Sequence, residues 1–332
     1  MQQQQMNYIE IIESGGPEVL QIRQTDIPQP KADEVLIKVR AAGINRPDIL
    51  QRKGLYPMPK GVTNIPGLEV AGDVVAIGGN VQRFQIGDQV CALTNGGGYA
   101  EYCVVDVTQV LHKPKNLTYV EAAAIPETYF TVWVNIFSIG RLQKYETALI
   151  HGGASGIGST ALSLCKAMGI RAFATVGAED KVQALADFGH IINYKTQDFE
   201  QEILQQTEQK GVDVILDIVG ASYFNKNINL LKKDGRLVII GFMGGRYADK
   251  VDLQAIMLKR LIVTGSTMRA RDQQEKQKIA EDLEHHVWPL IETGQCKPLV
   301  YKTFNFEDVQ QAHQCMEASQ HIGKIVLDLE QT

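Results

Sequence analysis

Residues 148–168 read Ala-Leu-Ile-His-Gly-Gly-Ala-Ser-Gly-Ile-Gly-Ser-Thr-Ala-Leu-Ser-Leu-Cys-Lys-Ala-Met: an apolar run, a cluster of small residues, then apolar positions at helical spacing. The pattern predicts a strand, a tight turn and a helix. Glycine lets the main chain approach an anion closely, and the amides that open a helix point at it with the favourable end of the dipole behind them. The stretch is therefore a candidate phosphate cradle, with Gly153, Ala154, Ser155, Gly156 and Ile157 as its contacts. The strict fingerprint has glycine at three places. Here Gly153 and Gly158 take the outer two and Ser155 the middle one, so the string alone also fits an ordinary Gly/Ser-rich loop.

The elements that would position such a loop lie on either side of it. Residues 171–176, 191–193, 212–219, 236–241 and 261–265 are short β-type runs. Between them, 180–188 has a helical pattern closed by Gly189, and 223–232 has another closed by the turn pair Asp234-Gly235. Near-continuous apolar strands alternating with helices predict a doubly wound parallel sheet, with ligand bound at the carboxyl ends of the strands. Residues 126–268 are thus expected to form a Rossmann-type dinucleotide-binding domain. Its strand ends add Val219, Gly220, Gly241, Phe242 and Met243 as candidate cofactor contacts. An NAD-specific fold places an acid about 20 residues past the glycines, where it would repel a 2′-phosphate. Gly177 holds that place, which points to NADPH. His151 directly precedes the loop, and its position at a strand end suits a structural role; no general base or nucleophile is assigned.

Composition sets the wider frame. The chain has 332 residues, 44% hydrophobic and 21% charged, enough for about two globular domains. A net charge of −5 argues against nucleic acid or an anionic membrane as partner. No run approaches the ~18 apolar residues of a membrane span, and the Gln-rich start lacks a signal-peptide layout, so residues 1–5 read as a disordered lead and the location as cytoplasmic. Five scattered cysteines without a CxxC pair fit neither a disulfide framework nor a structural zinc site. Residues 1–125 carry short β-type runs at 8–12, 19–22, 34–42, 69–77, 89–93 and 99–105, split by frequent turn signals, which predicts a mostly antiparallel barrel-like domain. A helix starts at 118–124, Pro126 interrupts it, and 129–139 resumes it as a link. In 269–332, helical patterns at 273–291 and 307–316 precede a last strand at 324–328, a tail expected to return to the first domain.

Seven strings occur in order: Gly15-Gly-Pro-Glu-Val-Leu20, Ala41-Ala-Gly-Ile-Asn-Arg-Pro-Asp48, Pro66-Gly-Leu-Glu69, Gly87-Asp-Gln-Val90, Gly96-Gly-Gly-Tyr-Ala-Glu101, Glu121-Ala-Ala-Ala124 and His321-Ile-Gly-Lys-Ile-Val326. With them the chain resembles, over nearly its whole length, the medium-chain dehydrogenase/reductase superfamily. Within it the resemblance is to zinc-independent quinone oxidoreductases of the zeta-crystallin type. Met243-Gly-Gly245, Arg269-x-Arg-Asp272 and the serine-containing loop resemble the tumour-suppressor-inducible branch. The resemblance implies an α/β fold: a GroES-like β-barrel catalytic domain plus a Rossmann domain. It also implies that Lys181 and Tyr194 hold the phosphate of NADPH and that Thr131 lies beside the nicotinamide. Two of these have plainer alternatives, Lys181 as a solvated helix residue and Thr131 as a helix residue bonded to its own backbone.

Zinc alcohol dehydrogenases of that superfamily bind their ion at positions that look like Asn45, Leu68 and a place near Glu127 here. Leucine cannot ligate zinc and an amide substitutes poorly for thiolate, so no metal is expected. Without a Lewis acid an electron-poor acceptor is favoured over an alcohol. The expected activity is hydride transfer from NADPH to a quinone; a first alternative is reduction of an enone or alkenal double bond, a second a non-enzymatic NADPH-bound redox sensor or binding protein. The acceptor is expected between the domains, near Asn45, Tyr56 and Phe242, with Met268 as a further candidate. A tyrosine in a proline-rich loop equally suits surface packing. The run 259–268 reads as an apolar edge that must be covered; the resemblance implies self-pairing across a two-fold axis, hence a homodimer, with a tetramer open.

Overall fold

The apolar runs of the middle of the chain pair side by side, all parallel, in the computed structural model, which describes residues 4–56, 58, 59 and 61–330. Six strands stand in the spatial order His190–Asn193, Arg171–Val176, Thr147–His151, Val212–Asp217, Leu231–Ile239, Ile262–Gly265. The chain works outward from Thr147–His151 to one edge, then returns beside its starting strand and works outward to the other. Parallel neighbours need a crossover, and the helices Gly156–Ala167, Glu179–Leu185, Phe199–Gln206, Phe224–Leu230 and Leu253–Lys259 lie in those crossovers. Leu149, Phe173, Ile192, Ile215 and Leu237 share one apolar core, as strands covered on both faces require.

Two compact units divide the chain: one of Met1–Phe130, Arg271–Gly294 and Pro298–Thr332, the other of Thr131–Ala270 and Gln295–Lys297. The first holds a seven-stranded sheet ordered Val300–Asn305, Lys324–Asp328, Glu34–Ile44, Glu69–Ile77, Gln89–Leu93, Val110–His112, with Tyr102–Asp106 also paired to Glu34–Ile44. All its pairings are antiparallel except the one between Val300–Asn305 and Lys324–Asp328. The returning tail pairs Ile325 with Ile44 and Leu327 with Ala42, which brings Lys324 to Asn45. Asn45 itself opens the helix Arg46–Arg52 through a capping box with Asp48.

Four local expectations are corrected. Gln5 is not part of a disordered lead: it begins the strand Gln5–Ile11 and pairs with Asp26, while residues 1–3 lie outside the described residues. Pro126 starts the helix Pro126–Val132 instead of interrupting one, because proline at a first turn lacks only an N–H that would be unpaired anyway. That helix continues as a π-helix, Trp133–Ile139. Asp234-Gly235 is an irregular step inside the strand Leu231–Ile239, whose pairing jumps from Val212–Leu231 to Val214–Arg236, with Asp234 at φ 64°. The run 273–291 is two helices, Gln273–His286 and Trp288–Glu292, since Pro289 cannot continue the first.

Candidate functional site

The strand order reverses between Thr147–His151 and Val212–Asp217, the place at whose carboxyl ends open parallel sheets bind their ligands. The glycine-rich loop leaves the first of these strands. Gly152 turns it at φ 73°, and Ser155 closes it by accepting from the Gly158 amide at 3.0 Å and donating to the Gly152 carbonyl at 2.8 Å. Ser155 is thus the N-cap of Gly156–Ala167, which explains why serine stands where the strict pattern has glycine. Gly158 has no substitute: a Cβ there would lie 2.2 Å from the Gly152 carbonyl oxygen. Gly153 is packed almost as tightly, its hypothetical Cβ 2.8 Å from that of Ala174, and Ala154 is buried. Gly156 and Ile157, at the start of the helix, are half-buried.

A polar network fixes the strand ends from behind. Asp217 accepts from the amides of Val219 at 2.7 Å and Gly220 at 3.1 Å, and from Asn227 Nδ2 at 3.2 Å. That commits Asn227 Oδ1 to accept from His151 Nε2 at 2.8 Å, leaving His151 Nδ1 to accept from the Thr175 hydroxyl at 3.0 Å. Burial pushes the His151 pKa down, so the ring is neutral and its tautomer is set by the chain of bonds. His151 is structural. Gly220, at φ 79°, and Gly241 let the two strand-end loops lie against each other: Met243 donates to the Ile218 carbonyl at 3.1 Å and Gly244 to that of Val219 at 2.7 Å. Phe242 and Met243 are then held outward, 65% and 74% exposed.

At the next strand end, the Tyr194 hydroxyl lies over Gly177, 2.6 Å from where a Cβ would be. An acid at position 177 would meet that phenol. Lys181 is half-buried beside the same corner, its pKa lowered by burial, raised by Asp180 and lowered again by the ammonium of Lys195. Lys195 was not singled out from sequence, where a lysine after a strand looks like any solvated residue. Thr131 is 9% exposed, and its carbonyl accepts from Asn135 Nδ2 at 2.8 Å within the helical run that precedes the sheet. Asn135 Oδ1 in turn accepts from Ser266 at 2.7 Å, tying that run to the end of the last strand.

The first unit carries a cluster of buried charges around Asn45. Lys324 Nζ lies 2.6 Å from Glu69 Oε1, 2.5 Å from Asn45 Oδ1 and 3.1 Å from the Ile44 carbonyl. Asn45 Nδ2 donates to the same Glu69 oxygen at 2.9 Å, and the other Glu69 oxygen accepts from the Glu127 amide at 2.9 Å. Burial, reinforced by Glu69, raises the Glu127 carboxyl to about 7. Asp48 is raised to about 6 by burial, although it accepts from the amides of Asn45 and Gly67 and from the Tyr99 hydroxyl. Behind Tyr99, His313 is held near 3 by burial and by Arg52, whose other nitrogen pairs with Glu317 at 2.8 Å. Sequence reasoning missed Lys324 and Glu69 as a pair. A lysine opening an apolar strand was the available signal, but its partner is 255 positions away in the chain.

Tyr56 is half-buried and lines a cavity of about 660 Å³ together with Tyr8, Met58, Thr63 and Ile65. Asn45 is not among the described residues of that wall, so the cavity joins only one of the two acceptor candidates. Met268, in the other unit, is 8% exposed.

Residues 31–115 match the family model described as alcohol dehydrogenase GroES-like domain, and residues 187–327 that described as zinc-binding dehydrogenase. The quinone oxidoreductase of Homo sapiens is 30% identical over 330 residues, 98% of each chain. Among solved structures, the CurK enoyl reductase superposes with a TM-score of 0.84 at 28% identity, covering 98% of this chain and 99% of that one. A mycobacterial protein complexed with NADPH gives a TM-score of 0.84 at 28% identity, over 98% of this chain and 100% of that one.

Proposed function

The chain belongs to the medium-chain dehydrogenase/reductase superfamily, and from that premise we propose that it is an NADPH-dependent oxidoreductase whose acceptor is a quinone. The observation that carries the cofactor choice is the Tyr194 phenol packed on Gly177 beside Lys181: a cation and a hydroxyl stand where an NAD-specific fold has a carboxylate. The relative named quinone oxidoreductase and the neighbour solved with NADPH support the same reading.

The donor set does not suit zinc, whatever the description of the matching family. Leu68 offers only hydrocarbon, and both ends of the Asn45 amide are engaged by Lys324 and Glu69. The ammonium of Lys324 already balances the buried Glu69 carboxylate, and no metal step is invoked.

When bound, NADPH supplies the hydride. The chain's residues bind, orient and exclude water. The amides of Gly156 and Ile157, at the helix start, would hold the pyrophosphate, with Gly153, Ala154 and Ser155 forming the turn. Lys181 and Tyr194 hold the 2′-phosphate; Val219, Gly220, Gly241, Phe242, Met243 and Thr131 line the rest of the cofactor's path. Asn45 would face the acceptor, its amide donating to the carbonyl oxygen, while Tyr56 lines a cavity whose described wall does not include Asn45. Positioning provides most of the rate; the hydride brings one hydrogen and both electrons, and the reduced product takes its one remaining proton from water.

A second reading, reduction of a conjugated carbon–carbon double bond, is favoured by the enoyl reductase neighbour. Steady-state turnover with NADPH against ortho- and para-quinones and short alkenals decides between them. Quinone turnover that survives chelator treatment is the expected result. Turnover of alkenals alone selects the second reading, and activity that disappears with a stripped metal overturns both.

A further inference from the structure

We propose that Lys324 is the positioning residue of the acceptor site, a built-in cation that locks and polarises the Asn45 amide; this rests on the reading that Asn45 holds the acceptor carbonyl. Lys324 is 3% exposed and its three ammonium hydrogens meet three oxygens: Glu69 Oε1 at 2.6 Å, Asn45 Oδ1 at 2.5 Å and the Ile44 carbonyl at 3.1 Å. An ammonium saturated by three acceptors has no hydrogen left to offer a ligand. Its contact with Oδ1 settles which way the amide faces, because only the oxygen end can accept from a cation. The nitrogen end is then set too: one N–H goes to Glu69 Oε1 at 2.9 Å, while the other acceptor among the described residues, the Gly43 carbonyl, is 3.4 Å away. A bond that long is weak, so this second N–H is the donor left for a ligand oxygen. Positive charge on Oδ1 withdraws electron density from the amide nitrogen and strengthens that donor, as linked hydrogen bonds polarise one another.

The lysine comes from the last strand and the asparagine from the end of Glu34–Ile44, so the arrangement exists only once the tail has paired. Glu69 completes the balance, and Gly43 admits its carboxylate: a Cβ at position 43 would lie 2.1 Å from Glu69 Oε1.

The test is the full-length double variant Lys324→Met/Glu69→Gln, which removes the locking bond together with the carboxylate that the ammonium pairs with. Expected are a KM for NADPH within about twofold of the parent, and kcat/KM for a quinone lower by about tenfold or more, the size of one transition-state contact. The Asn45 side-chain amide signals, identified by their loss in Asn45→Ala, should exchange with solvent about tenfold faster. Unchanged acceptor kinetics and unchanged exchange overturn the proposal. If the parent reduces no quinone, the acceptor assignment fails by itself, and the exchange measurement still decides whether Lys324 locks the amide. Should the double variant not fold, Lys324→Arg is measured the same way. The charge is kept, but a planar guanidinium cannot reach all three oxygens from one nitrogen, so the acceptor KM rises while that for NADPH holds. An acceptor KM that stays put overturns the proposal.

Discussion

Glu127 shows how a single half-buried carboxyl reports on its surroundings. Its pKa is raised from 4.5 to about 7 because burial and the Glu69 carboxylate both disfavour its charge, with Lys324 opposing. The folded chain thus holds a proton that the unfolded chain releases, and ionising Glu127 weakens the fold progressively between pH 4.5 and 7. Glu127→Gln should therefore raise stability at pH 8 by about 1–3 kcal/mol, with the gain gone at pH 4; denaturant melts at the two pH values measure it. Gly177 permits a second test at this scale. Gly177→Asp places a carboxylate against the Tyr194 phenol and near Lys181, so the ratio of kcat/KM for NADPH over NADH should fall by about tenfold or more. A ratio unmoved by that change removes this corner from cofactor choice.

At the scale of elements, the glycine-rich loop works because its backbone can fold back on itself before the helix starts. Gly158→Ala forces a methyl group against the Gly152 carbonyl, at 2.2 Å before relaxation, and the turn must open. NADPH affinity should drop by about tenfold or more, with a loss of stability of about 1–3 kcal/mol; cofactor titration alongside thermal melts separates the two. Ser155→Ala removes only the cap on the Gly158 amide, and the expected loss is about 1 kcal/mol. The π-helix Trp133–Ile139 was not foreseen, because π and α segments share the same apolar patterning. Asn135 Nδ2 reaching the Thr131 carbonyl and Asn135 Oδ1 meeting Ser266 are contacts that only the folded chain displays.

For the whole molecule, the last strand of the parallel sheet leaves a run of unpaired edge, and apolar side chains gather beside it. Leu253 is 72% exposed, Met257 66% and Leu258 65%, with Ile262 and Val263 next to them at 39% and 38%. Such an edge is normally covered, and we propose that pairing with a second copy across a two-fold axis covers it. Leu258→Glu with Val263→Asp should convert a dimer to a monomer in sedimentation velocity while leaving the cofactor corner intact. A parent chain that sediments as a monomer refutes the pairing. No helix among the described residues is long and apolar enough to cross a membrane.

Sequence by itself determined the parallel sheet and the glycine-rich turn, because both are written in local residue types: apolar runs at strand length, and a Gly/Ser cluster just before a helical pattern. It also placed the tail's return, since a lone strand of Lys-Ile-Val-Leu-Asp must find a partner. Tertiary structure alone decided which distant side chains meet. Lys324 with Asn45 and Glu69, His151 with Asn227 and Asp217, and Tyr194 over Gly177 are contacts between residues whose spacing carries no period. Burial then did what composition cannot, shifting Glu127 and Asp48 upward and His151 downward by taking them out of water.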